Sequence, residues 1–563
     1  MKKLRFHLKL VIFFFISLNF CNFLFAKSIE KFSDSKDISN YFSGIIAIND
    51  NQFQASYDYF KSLNNLEESH YSYSYYYLYS QITLSKFKDA VNYAKKLQIK
   101  KLDNFESNLI TGVYYLEKND LKQARIYFEK LKNFNKPDTV QNLLSVTLKN
   151  WTNFDSINSA ISKLKLMPST FENIKKIQLI FAHCHFESEQ TDEEFRKLTV
   201  NPNINYSRYN FFHANYLISK GQEKKAKNVL QSSLSLNPKN LILNQLQADL
   251  IKKQKNNNKF DCKKINHVIA EILYIVANGL SSQKNVTASN FYLTLAKYLN
   301  PNFLSYNTLY AENFESIEKN SEATRVYRTI KKIGSNYNWH ASKRIASILK
   351  KQEKNEEAIN YLKSAFLKIK NPTVYEIFDY AEFLKNSERF LESIKYYSKL
   401  ISIIDKKHSI YGQVLDGRGI AYERTDQWNK AEIDLIDSLS ISPDDAYVIN
   451  YLAYSWIEKG INIEKSLEML KKANRLRPED GYITDSLGWA LFKLKKYKES
   501  KKYLQLAVRL MPGDPTVNDH YGDVLWKNGN EIQARYYWNY VLNLEKAKED
   551  TKKTIKKKLV QGL

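Results

Sequence analysis

Residues 481–512 read GYITDSLGWALFKLKKYKESKKYLQLAVRLMP. Leu487, Gly488 and Leu491 share one face of a first helix, and Ser500, Leu504 and Ala507 share one face of a second. Residues three and four apart are neighbours on a helix surface, so each set forms a stripe. Small residues such as Gly488 and Ser500 let two axes approach closely, while the large residues fill the space beside the crossing. Pro512 ends the second helix, because it has no N–H and disfavours helical geometry in the residue before it.

The same unit recurs on both sides of this stretch. Gly419, Ala453, Gly488 and Gly522 are spaced 34, 35 and 34 residues apart, and Ala431, Ser466, Ser500 and Ala534 are spaced 35, 34 and 34. Pro443, Pro478 and Pro512 close three successive units. Ala311/Ala323, Ala346/Ala358 and Ala381/Ser393 continue the series upstream. Several position classes at one period mark an internal repeat. Composition agrees: with 15 Gly and 10 Pro in 563 residues, a strand-and-turn fold, a collagen-like chain and a disordered low-complexity chain are all disfavoured. Three Cys exclude a disulfide scaffold.

This helix–turn–helix unit resembles the tetratricopeptide repeat, or TPR. The resemblance is close for units ending at Pro238, Pro301, Pro443, Pro478 and Pro512, and more degenerate before them, where Gly112, Tyr115, Ala124 and Phe128 make one good unit. It covers most of residues 38–545 and is strongest after about residue 265. It implies an all-α fold, a right-handed α-solenoid of stacked helix pairs in two segments. The expected organisation is a signal peptide (1–26), a linker (27–37), an amino-terminal degenerate array (38–251), a polar loop (252–264), a carboxyl-terminal array (265–545) and a basic capping helix or tail (546–563). A solenoid needs such caps, because its terminal repeats otherwise expose an apolar face.

Lys2, Lys3, Arg5 and Lys9 precede an apolar run from Val11 to Ala26, the pattern of an export signal. The run is short for a membrane span, and an uncleaved anchor is the alternative reading. Cys21 raises lipidation, against which Phe20 stands where a small residue is wanted. The expected location is the periplasm or envelope of a Gram-negative bacterium. The net charge of +25 reads as a basic solvated surface or as attraction to an acidic partner or anionic membrane. No motif for nucleic-acid readout is present.

A search for chemistry finds no phosphate-binding loop, dinucleotide fingerprint, zinc-protease motif or nucleophile elbow. The expectation is no enzyme, no cofactor and no metal. His183-Cys184-His185 is the one metal-like cluster, and adjacent helical residues point in different directions. Cys262 lies 78 residues from Cys184, so stacking of helices is expected to hold the two tens of Å apart. Paired carboxylates such as Asp444-Asp445 and Glu479-Asp480 suit helix starts.

The resemblance also implies a binding face. In a TPR solenoid the first helix of each pair lines the concave groove at its second, fifth, ninth and twelfth positions. Here these are Gln413, Asp416, Ile420 and Glu423; Tyr447, Asn450, Tyr454 and Ile457; Tyr482, Asp485, Trp489 and Phe492; and Thr516, Asp519, Asp523 and Trp526. The core of the expected protein-binding groove is Asn450, Tyr454, Tyr482, Asp485, Trp489, Asp519, Asp523 and Trp526. Aromatic residues supply contact area and the acidic ones favour a basic or amide-rich segment. The competing reading is that Trp489 and Trp526 only pack between repeats. Asp416 and Ile420 depart from the Lys and Asn of TPRs that clamp a terminal carboxylate. Asn450–Trp456, Asp480–Trp489 and Asn518–Asp523 resemble a family of exported bacterial TPR proteins, known chiefly from proteobacteria. Some related envelope TPR proteins are adaptors that present substrates to periplasmic processing proteases. The expected partners are therefore other proteins or peptides, an envelope protease or its substrates among them, with membrane-surface association as the alternative.

Overall fold

The computed structural model describes residues 35–63, 66–68, 70–131, 139–199 and 206–563. The expected signal peptide, Cys21 and residues 27–34 of the linker lie outside them. Among the described residues there are thirty α-helices and no β-strand, only an isolated antiparallel bridge between Asn258 and Phe303. No described helix is long and apolar enough to cross a membrane.

One pair shows how the sequence builds the repeat. Asp480 caps the helix Gly481–Lys493, its carboxylate accepting from the N–H groups of Tyr482 and Ile483 at 3.0 and 3.1 Å. Gly488 meets Leu504 of the helix Tyr497–Leu510 so closely that a Cβ would stand 2.7 Å from Leu504 Cγ. Ser500 Oγ donates to the Gly488 carbonyl at 2.7 Å across the same crossing. Between the helices, Lys496 N–H reaches Leu491 O at 2.9 Å and Lys495 N–H reaches Phe492 O at 2.8 Å. This pair of bonds needs a left-handed residue, and Lys495 supplies it at φ +60°. Gly221 and Gly529 take the same conformation, but Ser85, Asn119, Lys284, Glu318 and Glu388 adopt it without being glycine.

The chain forms two compact units, residues 1–354 and 355–563. The division falls between Lys354 and Asn355, and the polar stretch 252–264 lies inside the first unit.

In the first unit six helix pairs run from Ser35 to Leu236, followed by the helix Leu241–Ile251. The chain then turns back. The pair Ile265–Ser282 and Val286–Leu299 packs against first helices of the pairs already laid down. Val286–Leu299 meets Tyr71–Thr83 and Phe105–Glu117, and Ile265–Ser282 meets Thr139–Trp151. Phe291 stacks on Tyr79 at 5.1 Å between ring centroids, and Tyr298 on Phe87 at 3.7 Å. The Tyr298 hydroxyl donates to Glu117 Oε2 at 3.2 Å. Arg208, on Ser207–Ser219, grips the wholly buried Glu271 with two bonds of 2.6 and 2.8 Å, its guanidinium 4.0 Å over Tyr274. Burying each such aromatic contributes about 1.5–3 kcal/mol, and a buried charge pair of this kind stands only while both partners remain.

The loop 252–264 takes part in this closure. Phe260 sits among Phe181, Phe212 and Phe303, and Asn258 Oδ1 accepts from Ser305 N–H at 2.8 Å. Cys262 is joined to Cys184 by a disulfide, with Cα atoms 5.9 Å apart. The expectation that these residues lie tens of Å apart is therefore corrected. Distance along a stack grows with sequence separation only while the chain keeps stacking outward, and here it doubles back.

In the second unit five helix pairs, from Val374–Asn386 to Glu531–Leu542, follow the helix Asn355–Leu367. A final helix, Glu549–Gln561, packs on the last pair through Ile555, which is fully buried. It falls within the basic segment expected to cap the array.

Candidate protein-binding face

In the second unit, first helices of successive pairs touch one another. Val374–Asn386 meets Tyr411–Glu423, Ala446–Glu458 meets Gly481–Lys493, and Gly481–Lys493 meets Pro515–Lys527. Successive second helices stand farther apart, so the first helices form the inner face of the stack. The positions expected to line a groove fall on this face, but to different depths.

Tyr447 and Tyr482 are exposed, at 56% and 60% of full accessibility, as are Gln413 and Thr516, and the Tyr447 hydroxyl donates to Asp480 Oδ2 at 3.1 Å. Asn450 and Tyr454 are half-buried. Asn450 Oδ1 has no hydrogen-bond donor. Burial, with the nearby charges of Glu458 and Asp485, pushes the Tyr454 hydroxyl above its ordinary range. Ile457, at a nominal groove position, is buried in the core.

Trp489 is buried to 9% exposure. Its Nε1 donates to Glu458 Oε1 at 2.6 Å, and its ring stacks on His520 of the following pair, with centroids 3.9 Å apart and planes 11° from parallel. His520 Nδ1 lies 2.9 Å from Asp485 Oδ2, while Asp485 Oδ1 finds no donor. Burial alone lowers a histidine pKa, but here Asp485, with Asp519 and Asp523 behind it, outweighs burial and raises that of His520. Trp489 thus does packing work between repeats, and only its edge is left to the face.

The last pair is engaged by the chain itself. Lys558, on the final helix, places Nζ 2.6 Å from Asp519 Oδ1 and 2.7 Å from Asp523 Oδ1. Trp526 is covered by Gly562, Arg535 stacks 4.5 Å over its ring, and Lys527 Nζ donates to Leu563 O at 3.1 Å. Burial, then Asp519, push the Asp523 carboxyl up to about 6 against the pull of Lys558. Asp519, Asp523 and Trp526 lie on the expected face beneath the chain's own tail.

Two further residues belong to the face. Glu382, one repeat upstream, accepts from Lys385 Nζ at 3.0 Å and from the Tyr397 hydroxyl. Asp416 accepts no hydrogen bond among the described residues, and burial outweighs the pull of Lys385 and, with Glu382 and Asp445 nearby, pushes its carboxyl up to about 6. Extending the repeat register by one unit from Gly419 to Ala381 finds Glu382 in the sequence, one residue after the small crossing position.

The histidine–cysteine cluster disperses. Cys184 is spent in the disulfide, His183 Nδ1 pairs with Ser188 Oγ at 3.0 Å, and His185 Nδ1 with Cys262 O at 3.1 Å. Among the described residues no group of three His, Cys, Asp or Glu side chains is placed to hold a metal ion.

A family model described as tetratricopeptide repeat matches residues 303–547, and a second of the same description matches residues 207–240. TPR repeat-containing protein PA4667 of Pseudomonas aeruginosa is 29% identical over 106 residues, 19% of this chain and 18% of that protein. The chain therefore spans less than a fifth of that relative's length in the match. Among solved structures, MamA AMB-1 is 19% identical with a TM-score of 0.27, covering 31% of this chain and 99% of that one. The APC/C hetero-tetramer Cut9–Hcn1 is 14% identical with a TM-score of 0.38, covering 93% and 97%. Neither likeness is close enough to bear on function.

Proposed function

The chain is a tetratricopeptide repeat protein, a helical scaffold for protein–protein interaction, and on that footing we propose that it is a non-enzymatic adaptor of the bacterial envelope that binds partners on the inner face of its second unit. The carrying observation is the contrast in occupancy: the chain's own residues 256–306 lie along the first helices of unit one, whereas Tyr447 and Tyr482 stand exposed on the first helices of unit two. Export to the periplasm is supported by the basic and apolar amino-terminal sequence and by the Cys184–Cys262 disulfide, since such bonds persist in oxidising compartments. An envelope protease or one of its substrates is a partner of the right class. The full chain carrying Tyr447→Ala and Tyr482→Ala should capture less of its partners from an envelope extract than the native chain. Equal capture by both would defeat the assignment to this face.

One observation favours a membrane-associated variant of this reading. Ile38, Phe42 and Ile46 stand exposed at 41%, 57% and 60% along one side of the helix Ser35–Asn49, shortly after the apolar run 11–26. Fractionation separates the two: a salt-washed membrane pellet retains an anchored protein, and osmotic shock releases a free one.

A further inference from the structure

Lys297, in the first unit, interrupts the rhythm of the repeat. It follows Ala296, which keeps with Ala277 and Ser289 the spacing that Ala507 keeps with Gly488 and Ser500. The residue next in register is Leu234, Leu439, Val508 or Leu542 in four other units, each packed against the core, with Lys331 and Asn474 the polar exceptions. Lys297 is half-buried, its Nζ stands 4.6 Å over the Tyr310 ring, and its ammonium remains open to solvent. Among the described residues it makes no hydrogen bond or ion pair. The charge beside it is a second cation, Arg325, which is exposed and equally without a carboxylate partner. Burial, then Arg325, lower the Lys297 pKa to about 8. The acids of the surrounding helices are engaged elsewhere: Glu117 with Tyr298 and Lys118, Glu315 with Arg344 and Tyr327, and Glu322 with Ser321, while Glu312 faces Arg344. Arg208, Arg418 and Lys558 are half-buried too, but each meets a carboxylate at 2.6–2.7 Å.

We propose that Lys297 and Arg325 form a binding site for an oxyanion, a carboxylate or phosphate group, seated beside Tyr310. A half-buried cation without a counter-ion is costly, and a second cation beside it adds repulsion, so one bound anion relieves both. The guanidinium offers parallel N–H groups that match the edge of a carboxylate or phosphate, and the ammonium adds a compact point charge. The three residues stand on three helices that pack in succession, Val286–Leu299, Tyr306–Ser316 and Asn320–Ile330, so the site is held by the scaffold and not by a loop. It lies within the first unit and is independent of the face assigned to the second.

Trace labelling of the full chain with acetic anhydride, read lysine by lysine by peptide mass spectrometry, tests the site directly. The probes are inorganic phosphate and glutarate, with chloride at the same ionic strength as the control for screening. At pH 7 an anion that raises the Lys297 pKa by one unit removes nine-tenths of its free amine, so saturating phosphate or glutarate should cut its labelling about tenfold. Lys227, which is exposed on another helix of the same unit, should label equally with and without either anion. Arg325→Gln should leave Lys297 reactive and remove most of the protection. Protection by glutarate alone assigns the site to a carboxylate, by phosphate alone to a phosphate group, and by both to oxyanions as a class. Four results overturn the inference: no labelling of Lys297 in the anion-free chain, no protection by either anion, protection by chloride as strong as theirs, or undiminished protection in Arg325→Gln.

Discussion

The two units are made of the same repeat and put it to opposite uses. In residues 1–354 the chain supplies its own occupant: the pair Ile265–Ser282 and Val286–Leu299 and the loop before it lie along the first helices of earlier pairs. In residues 355–563 contacts run mostly between neighbours, and the tail covers only the last pair. A stack of neighbours behaves as a one-dimensional chain that can fray from an end. A stack closed by contacts between residues 79 and 291 or 208 and 271 cannot, because early and late pairs must come apart together.

Breaking the closure gives the largest effects. Arg208→Ala leaves Glu271 charged and wholly buried without its partner, which should cost about 3–5 kcal/mol. Differential scanning calorimetry should show one transition falling steeply while the other, from the second unit, keeps its midpoint. Replacing both Cys184 and Cys262 with Ala should cost about 2–4 kcal/mol, again confined to the first unit. Loss of both transitions together in either variant would mean that the units do not unfold separately.

Acidity should distinguish the second unit. Asp416 has its folded pKa pushed up to about 6, above the value near 3.9 of an unfolded chain. A raised pKa means the folded form holds the proton more tightly, so stability is greatest below about pH 4 and declines as pH rises through 6. Asp416→Asn should therefore stabilise the unit at pH 7, by about 1–2 kcal/mol in urea melts, and change little at pH 4. His520 adds in the same direction: its raised pKa supplies stability below about 6.5 that is lost as pH rises through the folded value.

The smallest effect lies in the turns. Lys495 holds φ at +60°, so Lys495→Gly should raise stability by about 0.5–1 kcal/mol, a shift of a degree or two in melting temperature. The same substitution at Glu318, in the first unit, should give a similar gain, since the turn is common to both units.

Much of this was legible in the residues. Gly488 opposite Leu504 and Ser500 bonded to the Gly488 carbonyl are the crossing that spacing alone indicated. The self-occupied first unit was not legible, because Ala277, Ser289 and Ala296 carry the same small-residue rhythm as any outward-stacking pair. A repeat signature reports which helices cross within a pair, not where the pair is sent. Depth on the expected face was equally hidden. Trp489 holds the register expected of a groove residue, yet its burial depends on His520, one repeat later, and the cover over Asp519 depends on Lys558, 39 residues away.

The doubling back has a consequence for how the protein is made. A polypeptide emerges from its amino terminus, so Tyr79, Phe181 and Phe212 are synthesised long before Phe260, Phe291 and Phe303 arrive to cover them. Until then the nascent array presents an aromatic hollow to its surroundings, the kind of surface that aggregates or recruits a holding chaperone. Truncation after residue 251 should leave that hollow permanently bare, giving a fragment that binds apolar dyes and precipitates rather than a smaller working version of the protein.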